Sequence, residues 1–191
     1  MRFVAVAASL RKESYNRKLL LRAVHECRAL SIEVDHLDFG EIVCPNYDGD
    51  VETKTGIPQG AQRFAASLAA ADGIILASPE YNFSIPGTLK NVIDWTSRIR
   101  PIPFRGLSAL LLSASAGAIG GVRGLWQLRI PLEGCGVTVF PDMYSLPNAG
   151  SAFTKEGDLE DKSRSDRLTA LVKNFQEFSE LLAPRRRSFN S

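Results

Sequence analysis

At 191 residues and 20.9 kDa the chain can bury about 70% of the surface its unfolded form exposes, so no disulfide framework or metal is needed to staple it. Hydrophobic residues at 45%, charged residues at 23% and a mean hydropathy of -0.06 exclude a fibrous or disordered chain. Lys and Arg number 23 against 21 Asp and Glu, a net charge of +2, and Arg185, Arg186 and Arg187 alone exceed that surplus, so the near-neutral body offers no basic face to nucleic acid.

The chain opens with Arg2 and an apolar run over residues 3–8, which Ser9, Arg11 and Lys12 cut off before a secretory hydrophobic segment could form. It reads as a first strand. Leu19, Leu20, Ala23, Val24, Cys27 and Leu30 then recur at steps of three and four, the mark of a helix with one face on a sheet. Residues 32–37 read as a second strand, and 38–60 as a long connection, with Pro45, Pro58 and four glycines, of the kind that is often functional. A second helix over 61–71 precedes a buried central strand over 73–78. Thr88 is placed to cap a helix carrying Leu89, Val92 and Ile93. A fourth strand over 107–113, a loop of small residues over 114–121, a helix ending near Glu133 and a fifth strand over 137–140 follow. The last helix, 166–182, puts Leu168, Leu171, Val172, Phe175, Phe178, Leu181 and Leu182 on one stripe. Residues 1–183 read as a single domain and 184–191 as a flexible, solvated basic tail.

Five strands alternating with five helices predict an α/β fold, a parallel sheet covered on both faces. No uncharged run reaches the roughly 20 apolar residues of a membrane-spanning helix; the longest, 106–122, holds three serines and four glycines. Cys27, Cys44 and Cys135 form no C-x-x-C pair, which argues against a zinc site and fits a reducing, cytoplasmic setting. His25 and His36 read as surface or core residues, so no metal is expected.

In doubly wound sheets a ligand binds beyond the carboxyl ends of the strands, where the strand order reverses. Three loops converge there: 9–16, 79–87 and 114–121. The first gathers Ser9, Arg11, Lys12, Ser14 and Asn16 at a helix N-terminus, whose free N–H groups and dipole favour an anion such as a phosphate monoester. Ser14 or Asn16 could equally be a cap alone, and the two readings stand side by side. The second, bounded by Pro79 and Pro86, would present its backbone rigidly to a flat heterocycle, with Tyr81 or Phe83 as aromatic surface; packing of those rings into the core is the competing reading. In the third, Gly117, Gly120 and Gly121 would let a ring lie close, or would serve tight helix-to-strand packing. The chain lacks G-x-G-x-x-G after its first strand, the P-loop pattern and G-x-S-x-G, which disfavours a Rossmann dinucleotide site, a P-loop NTPase and an α/β-hydrolase.

Taken together these residues resemble a known family. Ser9-x-Arg11-x-x-Ser14-x-Asn16, then Pro79-Glu80-Tyr81-Asn82-x-Ser84-x-Pro86-Gly87-x-Leu89-Lys90-Asn91-x-Ile93-Asp94-Trp95, then Gly117-x-x-Gly120-Gly121-x-Arg123 with Leu128-Arg129 are similar to the NADPH-dependent FMN reductases, in their chromate and quinone reductase branch. Pro45-x-Tyr47-Asp48 and Phe153-Thr-Lys-Glu-Gly157-x-Leu159 extend the match along nearly the whole chain. The resemblance implies a flavodoxin-like three-layer sandwich with strand order 2-1-3-4-5. It implies FMN held by Ser9, Arg11, Ser14 and Asn16 at the phosphate and by Pro79, Glu80, Tyr81, Asn82, Ser115 and Gly117 at the ring, with NADPH or NADH as cosubstrate. It also implies a homodimer or homotetramer with the flavin near a subunit interface, where Tyr47 and Asp48 would lie beside a neighbour's site. Two positions depart from the family: Ala8 stands where Gly is usual and Thr154 where Asp is common.

On this reading the chain is an oxidoreductase that passes electrons from NAD(P)H through FMN to small acceptors such as quinones, azo compounds or metal oxyanions including chromate, with ping-pong kinetics. No side chain is expected to act as catalytic acid or nucleophile, and Arg100 is the candidate to attract an anionic substrate. Two rivals belong to other classes. A flavodoxin-type carrier docking with a redox protein would more often be strongly acidic, and a scaffold of this fold would bind no FMN.

Overall fold

The computed structural model of the chain describes residues 1–190. β1 (Arg2–Ala7), β3 (Gly73–Ala77) and β4 (Ser108–Ala114) are almost wholly buried, as their near-continuous apolar runs require of strands covered on both faces. With β2 (Glu33–Leu37) and β5 (Thr138–Val139) they form a parallel sheet in the order β2-β1-β3-β4-β5, the order expected. Val4 pairs with Asp35 on one side and Ile74 on the other, and Ile74 with Ala109.

The far edge departs from expectation. β5 has only two residues, pairing with Ser108 and Ala109. The chain leaves the sheet around Pro141, which has no N–H to donate to a ladder, and returns as β6 (Tyr144–Leu146), parallel to Leu112–Ala114. A run of three residues is too short to show a period of two, so β6 leaves no strand signal in the residues themselves.

Two hydrophobic clusters flank the sheet. On one face α1 (Tyr15–Ala29) and α6 (Lys162–Asn190) contribute Leu19, Leu20, Val24, Leu168, Val172 and Phe175. On the other, α3 (Gln59–Ala69), α4 (Gly87–Thr96) and α5 (Val122–Gly134) contribute Phe64, Leu68, Leu89, Val92, Leu125 and Leu128. The methyl of Ala8 joins this second cluster.

Three local expectations are corrected. The connection 38–60 contains α2 (Gly49–Thr55), begun by Asp48, whose carboxylate accepts the Asp50 N–H at 2.8 Å, and closed by Gly56 at φ 77°. Its polar composition hides it, since it buries no residue. Thr88 lies inside α4, whose N-cap is Pro86 with no side-chain hydrogen bond; the fixed φ of Pro86 aligns the entry instead. Leu181 is 81% exposed. The buried stripe of α6 runs on from Val172 and Phe175 through Ser179, Ala183 and Arg186, at the three- and four-residue steps a single helix face demands.

The last of these residues overturns the solvated tail. α6 continues through Pro184, and Arg186 is 1% exposed. Its guanidinium donates to the carbonyls of Leu68 at 2.8 Å, Ala71 at 3.4 Å, Pro103 at 2.9 Å and Arg105. The Leu68 carbonyl belongs to the last turn of α3 and that of Ala71 lies just past its end, where a cation complements the helix dipole. Burial holds the Arg186 pKa below the usual guanidinium value, against the pull of Asp72.

Candidate functional site

β1 feeds α1 and then β2 to one side, while β3 and β4 lie to the other. The strand order therefore reverses beside β1, and loops 9–16, 79–87 and 114–121 leave the carboxyl ends of the adjacent strands β1, β3 and β4 around that point.

In the first loop Ser9, Ser14 and Asn16 are buried and Arg11 is exposed. Ser14 caps α1, its Oγ accepting the Arg17 N–H at 3.4 Å, and Ser9 Oγ accepts the Arg11 N–H at 3.4 Å. The backbone N–H groups of Leu10, Lys12, Glu13, Ser14, Tyr15 and Asn16 have no hydrogen-bond partner among the described residues. Arg11 pairs with no carboxylate among them. Donors gathered at a helix N-terminus next to two hydroxyls and a free guanidinium suit a doubly charged phosphate. Capping and anion binding are thus compatible uses of Ser14. Asn16 has a different main task, because its Oδ1 accepts the Ala114 N–H and its Nδ2 donates to the Ala114 carbonyl, both at 2.9 Å. The side chain ties the first loop to the third and leaves one N–H to spare.

In the second loop Tyr81 and Ser84 exchange N–H···O bonds of 2.9 and 3.0 Å, with Asn82 at φ 47° and Phe83 at φ 67° between them. Two left-handed residues make the turn of a two-residue hairpin, and a phenylalanine there stores strain of about 1–3 kcal/mol. Tyr81 is 49% and Phe83 65% exposed, so the rings stand out from the core. The N–H groups of Glu80, Asn82 and Phe83 have no partner among the described residues. The Glu80 carboxylate is engaged: Oε1 accepts Arg123 Nε at 2.9 Å and Nη2 at 2.7 Å, and Oε2 accepts the Gly124 N–H at 3.1 Å. Only its backbone is left to meet a ring edge.

In the third loop the glycines divide between the two readings. Gly121, at φ 85°, approaches Ser113 so closely that a Cβ would overlap Oγ, and a Cβ on Gly120 would strike the backbone of Leu146 and Pro147. Both serve tight packing. Gly117 is exposed, with its N–H on Ser115 Oγ at 3.1 Å. The loop is fastened to the segment after β6 by Ser115 N–H to the Leu146 carbonyl at 3.1 Å, Asn148 N–H to the Gly117 carbonyl at 3.2 Å and Ala149 N–H to the Ser115 carbonyl at 2.9 Å. Ser113 Oγ is buried without a partner among the described residues. These contacts, which no motif announces, escape a reading of sequence alone.

Arg100 is not brought to this crevice. α4 runs back from the carboxyl end of β3 toward the amino end of β4, so residue 100 stands at the opposite end of the sheet. There its Nη1 donates to the carbonyls of Ser97 and Ile99, and it borders an apolar cavity of about 470 Å³ with Ile57, Ala66 and Ile102. Tyr47 is held beside α4. Its N–H reaches Asn91 Oδ1 at 2.8 Å, Asn91 and Trp95 both donate to the Pro45 carbonyl, and its ring meets Trp95 edge-on at 4.9 Å. At the other departure from the family, Thr154 Oγ1 accepts the N–H groups of Glu156 and Asp158, each at 3.2 Å, so a hydroxyl closes that turn. Cys27, Cys44 and Cys135 are free thiols, and no helix among the described residues is long and apolar enough to cross a membrane.

The family model described as NADPH-dependent FMN reductase matches residues 1–151. A quinone reductase of Escherichia coli is 34% identical over 181 residues, covering 93% of this chain and 95% of its own. An NAD(P)H-dependent FMN reductase of Pseudomonas aeruginosa is 38% identical over 173 residues, covering 86% and 88%. Among solved structures, the flavoenzyme NAD(P)H:acceptor oxidoreductase FerB of Paracoccus denitrificans superposes with a TM-score of 0.81 at 25% identity, over 95% of this chain and 98% of that one.

Proposed function

The chain belongs to the NADPH-dependent FMN reductase family, and on that premise we propose that it is an FMN-dependent oxidoreductase that carries electrons from NADPH or NADH to quinones. The observation that carries this reading is the run of unpartnered N–H groups between Leu10 and Asn16, set beside the buried hydroxyls of Ser9 and Ser14. Those donors, with Arg11, would hold the FMN phosphate. The free N–H groups of Glu80, Asn82 and Phe83 would face the ring edge, with Pro79, Tyr81, Ser115 and Gly117 around it. Bound there, FMN supplies two-electron chemistry between the nicotinamide donor and the acceptor. The chain's own part is to hold and orient the reactants. Glu80, bonded through both oxygens, is not free to move a proton, so solvent delivers the one proton that, with the hydride given up by NAD(P)H, turns a quinone into its hydroquinone.

Azo compounds and metal oxyanions such as chromate are further proposed acceptors, and the free thiols suit a reducing cytoplasm. We also propose a homodimer or homotetramer. Trp126 and Ile130, one turn apart on α5, are 56% and 67% exposed, an apolar pair that a second copy would cover.

The test is anaerobic mixing of the FMN-loaded protein with each pyridine nucleotide, followed by a quinone. Bleaching of the flavin and its recovery on adding the quinone are expected, with parallel double-reciprocal lines in steady state. A colourless protein whose melting temperature FMN does not raise would overturn the reading.

A further inference from the structure

Arg123 opens α5 at the point where the second and third loops meet. Its Nε and Nη2 are spent on Glu80, its guanidinium carbon lies 4.3 Å over the Phe83 ring, and Nη1 has no acceptor among the described residues. The ion pair is polarised. Glu80 is the inner partner, with a side chain only 10% exposed, while that of Arg123 is 39% exposed. Glu80 also sits on the N-terminus of α5 through the Gly124 N–H, where the helix dipole contributes roughly half a positive charge. One carboxylate therefore faces a guanidinium and a helix terminus, and the excess at the surface is positive. Phe83 adds 65% exposed aromatic area next to that charge.

We infer that Arg123 and Phe83 form an acceptor subsite selecting planar aromatic acceptors that carry an anionic group, the ring lying along Phe83 and the anion meeting the free Nη1 of Arg123. This rests on the quinone-reductase reading and narrows its substrate class. Arg123 is a specificity-determining residue on this view, and Arg100, at the far end of the sheet, is not.

The test uses the FMN-loaded protein at saturating donor and low ionic strength, with 1,2-naphthoquinone-4-sulfonate and uncharged 1,2-naphthoquinone as acceptors. The wild type should favour the sulfonate in kcat/KM. Arg123→Gln should lower the ratio of the two kcat/KM values about tenfold, since a tenfold change corresponds to about 1.4 kcal/mol, close to the lower end of what one charge-assisted hydrogen bond contributes. Arg123→Lys should recover part of the ratio and lose it as salt is raised. An unchanged ratio, including one in which both values fall together, would overturn the proposal by leaving Arg123 a purely structural role. Binding of redox-inert 2-naphthalenesulfonate, followed by flavin fluorescence, keeps the two readings apart. If neither quinone is reduced, the quinone-reductase reading fails, whereas the subsite stands on tenfold weaker binding to Arg123→Gln and falls on equal binding.

Discussion

The side-chain amide of Asn16 grips the backbone of Ala114 from both sides, accepting its N–H and donating to its carbonyl at 2.9 Å each, in a buried position. One residue of α1 thereby sets the height of the third loop relative to the first. Asn16→Ala strands both backbone groups, at roughly 1–3 kcal/mol for each left unsatisfied. A loss of about 3 kcal/mol in urea denaturation and weaker FMN binding are expected. FMN affinity unchanged in a destabilised protein would show that the coupling between the loops is not used.

Arg11 behaves differently because its guanidinium has no partner among the described residues, only its backbone N–H being held, by Ser9 Oγ. Arg11→Gln should leave the melting temperature of the apoprotein unaltered and weaken FMN binding roughly ten- to hundredfold, the worth of a charge-assisted hydrogen bond of about 1.5–3 kcal/mol. Fluorescence titration with FMN measures it. An equal effect on riboflavin, which lacks the phosphate, would contradict the assignment.

Arg186 makes the C-terminal segment part of the fold. Replacing it with Ala leaves four carbonyls without their buried donor, and a destabilisation of about 2–4 kcal/mol is expected. Truncation after Ala183 should cost as much. A solvated tail would tolerate both changes without a shift in the urea midpoint.

Gly121 combines a left-handed backbone with contact against Ser113. Gly121→Ala should cost about 3 kcal/mol, of which roughly 1–2 kcal/mol is the positive φ and the rest overpacking. Adding Ser113→Ala removes the clashing Oγ and should restore only the overpacking share, a split that thermal unfolding of the double variant resolves.

Burial, with a smaller contribution from Glu26, pushes the Cys27 thiol up to about 12 from its ordinary 9.0. The unfolded chain ionises first, so the stability held by the neutral thiol is complete below pH 9 and lost as pH rises toward 12. Cys27→Ala should flatten the fall in stability over that window, and Cys27 in the native protein should not react with a disulfide reagent at pH 8. Rapid modification of Cys27 at that pH would place the thiol in contact with solvent.

Much of this was legible because local pattern and global fold agree. The runs 3–8 and 73–78 are apolar enough to be buried on both sides, and a parallel sheet with helices on both faces follows from their alternation with helical periods. The motifs around Ser9, Pro79 and Gly117 mark loops whose small, hydroxyl and proline residues make sense only at the ends of strands. Where the pattern failed, the residues are neutral to it. α2 buries nothing, β6 is too short to have a period, and Leu181 and Arg186 have swapped the places that hydropathy assigns them.

Periodicity and residue type along the chain suffice for the parallel α/β class, the three loops and the chemistry their residues can offer. Which of those groups are still free emerges only once the chain is folded. Asn16 and Glu80 proved to be committed to Ala114, Arg123 and Gly124, Arg100 was carried to the far end of the sheet, and Arg186 was drawn inside. The physical reason is that a polar group's availability is set by the partners that folding brings within 3 Å of it, and those partners come from distant parts of the chain.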